Sequence, residues 1–211
     1  MYKVYLGVMI DESLSWKYHI SFVCSRISRN TGIISKLRHY LSVKQLTQIN
    51  YNLIYPYISY GILAWGSVYK THISKIQVKQ NHIVRLIFFA TAFGSETENA
   101  KPLLNLIGLL TVNNIYRLQV SKFVHSWHKG CLPELFDNMF QYASNTHHYN
   151  TRCIAKKNLI KLSVRTNVGK QSISFIATDI WKDIPTRLKN SSVFTFPKKI
   201  KRYLLSEQQI K

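Results

Sequence analysis

Carboxylates are the scarcest functional groups of this chain: nine Asp and Glu stand against 29 Lys and Arg in 211 residues, a formal net charge of +20. Two-metal catalysis needs acidic side chains that converge on one small volume. The only close sets are Asp11-Glu12, which reads as a turn, and Asp179 with Asp183, which reads as part of an amphipathic segment around Trp181. Cysteine is also thin. Cys24, Cys131 and Cys153 are odd in number and widely spaced, which argues against a disulfide framework and for a reducing intracellular compartment. No targeting segment is visible at Met1. The most apolar stretch, Leu53 to Trp65, is shorter than the roughly 20 residues of a membrane span and carries Pro56, Ser59 and Gly61, so it reads as a buried helix. A glycine-rich phosphate loop, a Gly-x-Ser-x-Gly turn and a His-Glu-x-x-His pair are all missing.

What is present is enough apolar material, 46% hydrophobic and 13% aromatic, to bury a core in one or two small domains. The cationic excess points to an anionic polymer as partner, nucleic acid first. Val4 to Ile10 is β-rich apart from Gly7 and reads as a strand closed by the turn Asp11-Glu12-Ser13. From His19 to Leu41, residues Ile20, Val23, Ile27, Ile34, Leu37 and Leu41 recur at helical spacing, with Arg26, Arg29 and Lys36 to one side of the stripe. Ser42 and Gln45 form a capping-box signature, so a second helix is expected through Leu46, Ile49 and Leu53, kinked or ended by Pro56. A third, about His72 to Phe89, sets Ile73, Ile76, Ile83, Val84 and Ile87 against Lys75, Lys79, His82 and Arg85.

Gly94 to Ala100 is the best linker, followed by helices over Pro102 to Ile107 and over Val112 to His128 behind a Thr111 cap. Beyond Gln141 the alternation of Leu159 to Val164 suits a strand, and a basic helix is expected from Phe196 to Leu205. His125, His128 and Cys131, with His147, His148 and Cys153, offer ligand types for zinc, but without paired short spacings they read better as a helix ending near Gly130. Tyr51, Tyr55, Tyr57, Tyr60, Trp65 and Tyr69 could stack bases, although their aliphatic neighbours favour core packing for most of them.

An ordered series of motifs resembles one family. It runs through Tyr5-Leu6-Gly7-Val8, Gly32-Ile33-Ile34-Ser35-Lys36-Leu37-Arg38 and Tyr55-Pro56-Tyr57-Ile58-Ser59-Tyr60-Gly61. It continues in His148-Tyr149-Asn150-Thr151-Arg152, Gly169-Lys170-Gln171-Ser172-Ile173, and Trp181 ahead of Ile184-Pro185. These motifs resemble the reverse transcriptases of non-LTR retrotransposons, in the jockey-like group. The resemblance implies that Tyr5, Leu6 and Gly7 belong to the primer grip, and that the following helices form a thumb-like bundle. Arg26, Arg29, Lys36, Lys75, Lys79 and Arg85 would then meet the backbone of an RNA or DNA primer-template duplex. The fold class expected is mainly α: a helical thumb-like bundle preceded by a short β-strand or hairpin, with a mixed α/β C-terminal region. In those terms residues 1–15 end the palm, 16–93 form the thumb-like domain, 94–100 link, 101–140 connect, and 141–211 make a basic C-terminal region.

The resemblance also places the catalytic aspartates and their Mg2+ upstream of Tyr5, so no cofactor is expected in this chain itself, and a nuclear location is implied. An alternative is a basic helical protein on an anionic membrane surface, using Lys198, Lys199, Lys201 and Arg202. The purified chain is expected to give no primer extension on a primed template with Mg2+; extension that survives controls for contaminating polymerase would overturn this.

Overall fold

The computed structural model describes residues 2–88, 100–143 and 158–210. The chain divides into two compact units, one of residues 1–115 with 205–211, the other of residues 116–204. The expected linker lies outside the described residues except for Ala100, which is buried.

The first unit opens with an antiparallel hairpin of β1 (Tyr2–Tyr5) and β2 (Val8–Asp11), in which Tyr2 pairs with Asp11 and Tyr5 with Val8. A single strand running through Gly7 is therefore corrected to two strands. The reason lies in the two-residue loop: Leu6 and Gly7 both have positive φ, 47° and 79°, the type I′ geometry that lets twisted strands reverse direction. Val4, Tyr5 and Leu6 at the hairpin's turn are all exposed.

Asp11 fixes the exit from β2. Its carboxylate accepts hydrogen bonds from Ser13 Oγ (2.7 Å), Ser15 N–H (2.9 Å) and Trp16 N–H (2.9 Å). Leu14 and Trp16, both at positive φ, are held within this turn. Burial alone would raise the carboxyl pKa, but hydrogen bonds from Ser13, Ser15 and Trp16 outweigh it and hold it well below the ordinary value of 3.8. Helix α1 (Lys17–Leu37) starts directly after, so the anionic side chain also lies at the positive end of the helix dipole.

Along α1 the residues Ile20, Val23, Ile27 and Ile34 are buried, as the stripe predicts. The capping box at Ser42 and Gln45 is formed, and α2 (Val43–Leu53) ends before Pro56. Proline does not kink that helix; it sits in the first turn of the next, α3 (Tyr55–Ser59), where its missing N–H has no partner to lose. Gly61 at φ 62° leads into α4 (Ile62–Trp65). Helix α5 (Lys70–Ile87) packs chiefly on α1 and buries Ile76, Ile83, Val84 and Ile87. Helix α6 (Lys101–Leu106) adds Leu103 and Leu104 to a cluster with Val84 and Leu109.

Buried amides stitch this unit. Gln80 Nε2 donates to Leu110 O (2.9 Å), and Gln77 Oε1 accepts from Val112 N–H (2.9 Å). From the chain's far end Gln208 accepts from Thr111 N–H (3.0 Å) and donates to Leu109 O (3.2 Å). Each would be a buried unsatisfied backbone group without its partner.

Helix α7 (Val112–His128) matches its expected bounds, with Thr111 Oγ1 accepting from Asn114 N–H. The second unit is otherwise helical among its described residues: a 3-10 turn at Glu134–Met139, then α8 (Asn167–Lys170), α9 (Ile173–Asp183), α10 (Thr186–Lys189) and α11 (Phe196–Ile210), whose residues from 205 on belong to the first unit. The strand expected over 159–164 is reduced to one bridge between Tyr142 and Leu159. Within that stretch Lys161 pairs with Asp179 (2.6 Å) and lies over the Phe175 ring. The core here is Val120, Val124, Ala177, Trp181, Phe196 and Ile200.

Two buried histidines make stability sensitive to mild acid. His19 accepts from Met9 N–H through Nδ1 (3.4 Å), while His125 stacks on Phe196 with ring centroids 3.8 Å apart and bonds Ser191 O through Nε2 (3.0 Å). Burial lowers both pKa values from 6.5. The unfolded chain then binds more protons than the folded one below that value, so stability should fall as pH drops from about 7 toward 5. Urea midpoints across that range are expected to decline in the native chain and to decline less steeply in His19→Phe, which leaves the His125 contribution; a pH-independent midpoint in the native chain would contradict buried neutral imidazoles.

Candidate nucleic-acid interface

The stripes that bury the α1–α5 seam decide where the cations go. Lys79 Nζ donates to Ser28 Oγ of α1, and Lys75 and Lys79 both act electrostatically on Cys24. Burial raises the Cys24 thiol pKa, and the two ammonium groups oppose that rise only in part. Cys24 and Ser28 stand one turn apart, so Lys75 and Lys79 line the same flank of the seam.

The α1 cations lie elsewhere. Arg26 is two residues from Cys24, which turns it about 200° round the axis, onto the opposite flank, where its guanidinium lies over the Phe22 ring at 5.1 Å. Arg29 and Lys36 are exposed on the outer face, and Arg85 is half-buried. The six helical cations thus form one flank pair, Lys75 with Lys79, an outer-face pair, Arg29 with Lys36, and single positions at Arg26 and Arg85. The helical period alone could show a basic side to each helix, but not which flank each partner helix would cover.

The hairpin tip is a distinct feature. Tyr5 is 67% and Leu6 73% exposed, and Tyr60 Oη donates to Leu6 O at 2.7 Å, tying the tip to the segment between α3 and α4. Leucine at positive φ is rare and strained. In the aromatic set, expected to pack in the core for the most part, Trp65 is fully buried and Tyr51, Tyr55 and Tyr57 are half-buried, while Tyr60 and Tyr69 are exposed. Tyr60 is exposed because its hydroxyl serves the hairpin. Asp11 and Tyr60 went unrecognised in the sequence because their partners are backbone groups that only folding brings near.

The metal ligand types are otherwise engaged. His125 is stacked and hydrogen-bonded as above, and His128 Nδ1 bonds Tyr142 Oη. His147, His148 and Cys153 lie outside the described residues. Among the described residues no three of His, Cys, Asp and Glu converge as a metal site would require. Among the described residues, Asp11 is engaged in capping a turn and Asp179 in pairing with Lys161, so these two carboxylates do not converge as the Mg2+ pair of polymerase chemistry requires.

The membrane alternative loses its apolar half. In α11 the residues Phe196, Ile200 and Leu204 are 0–2% exposed, so the stripe that would enter a lipid surface is already packed in protein. No described helix is long and apolar enough to cross a membrane.

No family model matches the chain, and no solved structure matches it. Over 87 residues, 39% of its length, it is 31% identical to a protein described as the probable RNA-directed DNA polymerase from transposon X-element of Drosophila melanogaster. It is equally 31% identical over 87 residues to the RNA-directed DNA polymerase from mobile element jockey of Drosophila funebris. Over that stretch the chain is similar to the jockey-like reverse transcriptases. It spans about a tenth of the length of these relatives, 10% and 9% of the two polymerases. The reverse-transcriptase resemblance of the sequence motifs is thereby supported independently of any one motif.

If Leu6 is strained in the hairpin turn, its replacement by a residue that tolerates positive φ should relieve the cost. Leu6→Asn is expected to raise unfolding free energy by about 1 kcal/mol, and Gly7→Ala to lower it by a similar amount. Urea titrations measure both; an Asn variant less stable than the native chain would mean that the Leu6 side chain is held by contacts worth more than the strain.

Proposed function

We propose that this chain is a reverse-transcriptase-derived module that grips the sugar-phosphate backbone of RNA or DNA without reading sequence, the task of a polymerase thumb. The observation that carries this proposal is the paired placement of Lys75 and Lys79 along one flank of the α1–α5 seam, in a protein of net charge +20 that is similar to RNA-directed DNA polymerases. Two ammonium groups about one helical turn apart suit successive phosphates, and point charges on flexible stems bind a backbone without base preference. Arg26, Arg29, Lys36 and Arg85 would extend the contact from neighbouring faces.

Tyr5, Leu6 and Gly7 at the exposed hairpin tip suit a primer-grip role, in which the backbone, left bare by Gly7, approaches the primer end closely. Polymerisation itself would belong to a palm that supplies the carboxylates and Mg2+ missing from the described residues, so this chain contributes holding rather than chemistry. A primer-template duplex, met in the nucleus, is the partner that fits.

Phosphate contacts release counterions, so affinity should fall steeply with salt, with a log-log slope of about −0.9 per phosphate on duplex. Lys75→Ala with Lys79→Ala is expected to flatten that slope by about 1 per lysine, equally for unrelated duplex sequences. Fluorescence anisotropy over a salt series reads this directly. A slope unchanged by the double substitution, or affinity that depends on sequence, would sink the proposal.

A further inference from the structure

Within the second unit, residues of α10 and the middle of α11 enclose a cleft of about 320 Å³ lined by Pro185, Arg187, Leu188, Lys199, Arg202 and Tyr203. Its size sits at the lower end of small-ligand sites, roughly 300–1,000 Å³. We propose that this cleft takes one nucleotide of a single-stranded nucleic acid, with its phosphate on Arg187, Lys199 and Arg202 and its base against Tyr203.

The charge arrangement is the first ground. Three cations line the cleft and no carboxylate does. Arg187 and Arg202 make no hydrogen bond or ion pair among the described residues, and Lys199 has only the Ser191 hydroxyl, at 3.4 Å. Lys199 and Arg202 stand three residues apart on one helical face, where like charges repel. Among the described residues the cluster is therefore uncompensated, and an anion would relieve it.

Shape and lining are the second. Lys199, Arg202 and Tyr203 share a face because α11 buries Phe196, Ile200 and Leu204 on the other, which fixes their direction. Tyr203 Oη donates to Asp183 O (3.4 Å) and so restrains the ring, while Pro185 and Leu188 complete an apolar wall. Cations beside an aromatic platform suit an unpaired base with its phosphate, since a duplex keeps its bases stacked inside and offers only backbone. A lipid phosphate shares part of this chemistry, but the apolar stripe of α11 is not available to a bilayer. The inference does not rest on the α1–α5 proposal, because it uses other residues and another class of ligand.

The test uses the full chain with fluorescein-labelled oligothymidylate and, at the same ionic strength, a blunt duplex. Arg187→Ala with Arg202→Ala, and separately Tyr203→Leu, should each weaken oligothymidylate binding by about fivefold or more while duplex affinity changes by less than about twofold. Tyr203→Phe, which keeps the ring, should bind as the native chain does. Lys75→Ala with Lys79→Ala should show the reverse preference, which separates failure here from failure at the seam. Equal losses on both nucleic acids, or Tyr203→Leu binding like Tyr203→Phe, would overturn the site. So would variants that lose phosphatidylserine vesicles but keep the oligonucleotide. Matching thermal melts of the variants exclude unfolding as the cause.

Discussion

The packing of α1 on α5 is the constraint on which the first unit depends. Buried aliphatic side chains of the two helices, Ile20, Val23, Ile27 and Ile34 of α1 and Ile76, Ile83 and Ile87 of α5, are 0–2% exposed. Burying each is worth about 1.5–3 kcal/mol, against a few tenths for each like-charge pair on a helix surface. The seam therefore wins over the repulsion among the cations beside it. Because β-branched residues occupy the seam and leave no room for long stems, lysine and arginine are displaced to its flanks, and the placement of Lys75 and Lys79 is a consequence of apolar packing.

The seam alone would leave the turn after α6 without partners. Backbone groups at Leu109, Leu110, Thr111 and Val112 are met by the amides of Gln77, Gln80 and Gln208. Glutamine serves here because it both donates and accepts, so one side chain can satisfy a carbonyl and an N–H together. Such a network is directional where the aliphatic seam is not. It fixes the position of the turn relative to α5, and it draws residues about a hundred positions apart in sequence into one unit.

Most of the helices were legible in the sequence because their signals are local. The α1 and α5 stripes, the Ser42–Gln45 box and the bounds of α7 all rest on spacing within a few residues. The expected fold class allowed a strand or a hairpin, but the residues Val4 to Ile10 read as one strand because the turn uses Leu6-Gly7, whereas Asn or Asp before glycine is the usual signal. The reduced strand after Leu159 has a different cause: alternation is present, but among the described residues no partner strand accompanies it beyond one bridge. At the candidate interface, residue types were legible and their grouping was not. Arg26 and Lys79 both read as basic helix faces, yet whether they share a groove depends on which flank of α1 receives α5, and helical periodicity is silent on that.

The same excess of cations acts in opposite directions on the two properties of the molecule. Nine carboxylates cannot neutralise 29 cations, and at least two of the nine, Asp11 and Asp179, are already engaged with backbone N–H groups and with Lys161. Self-repulsion in the folded chain is therefore unavoidable at low ionic strength, and added salt reduces it by screening charges beyond about 10 Å at 0.1 M. Salt also weakens attraction to a phosphate backbone. A bound polyanion removes the conflict, because it supplies locally the negative charge that the sequence lacks. On the proposed backbone-gripping reading, folding stability and nucleic-acid binding would be coupled through one electrostatic term, with the polyanion supplying negative charge that the sequence lacks.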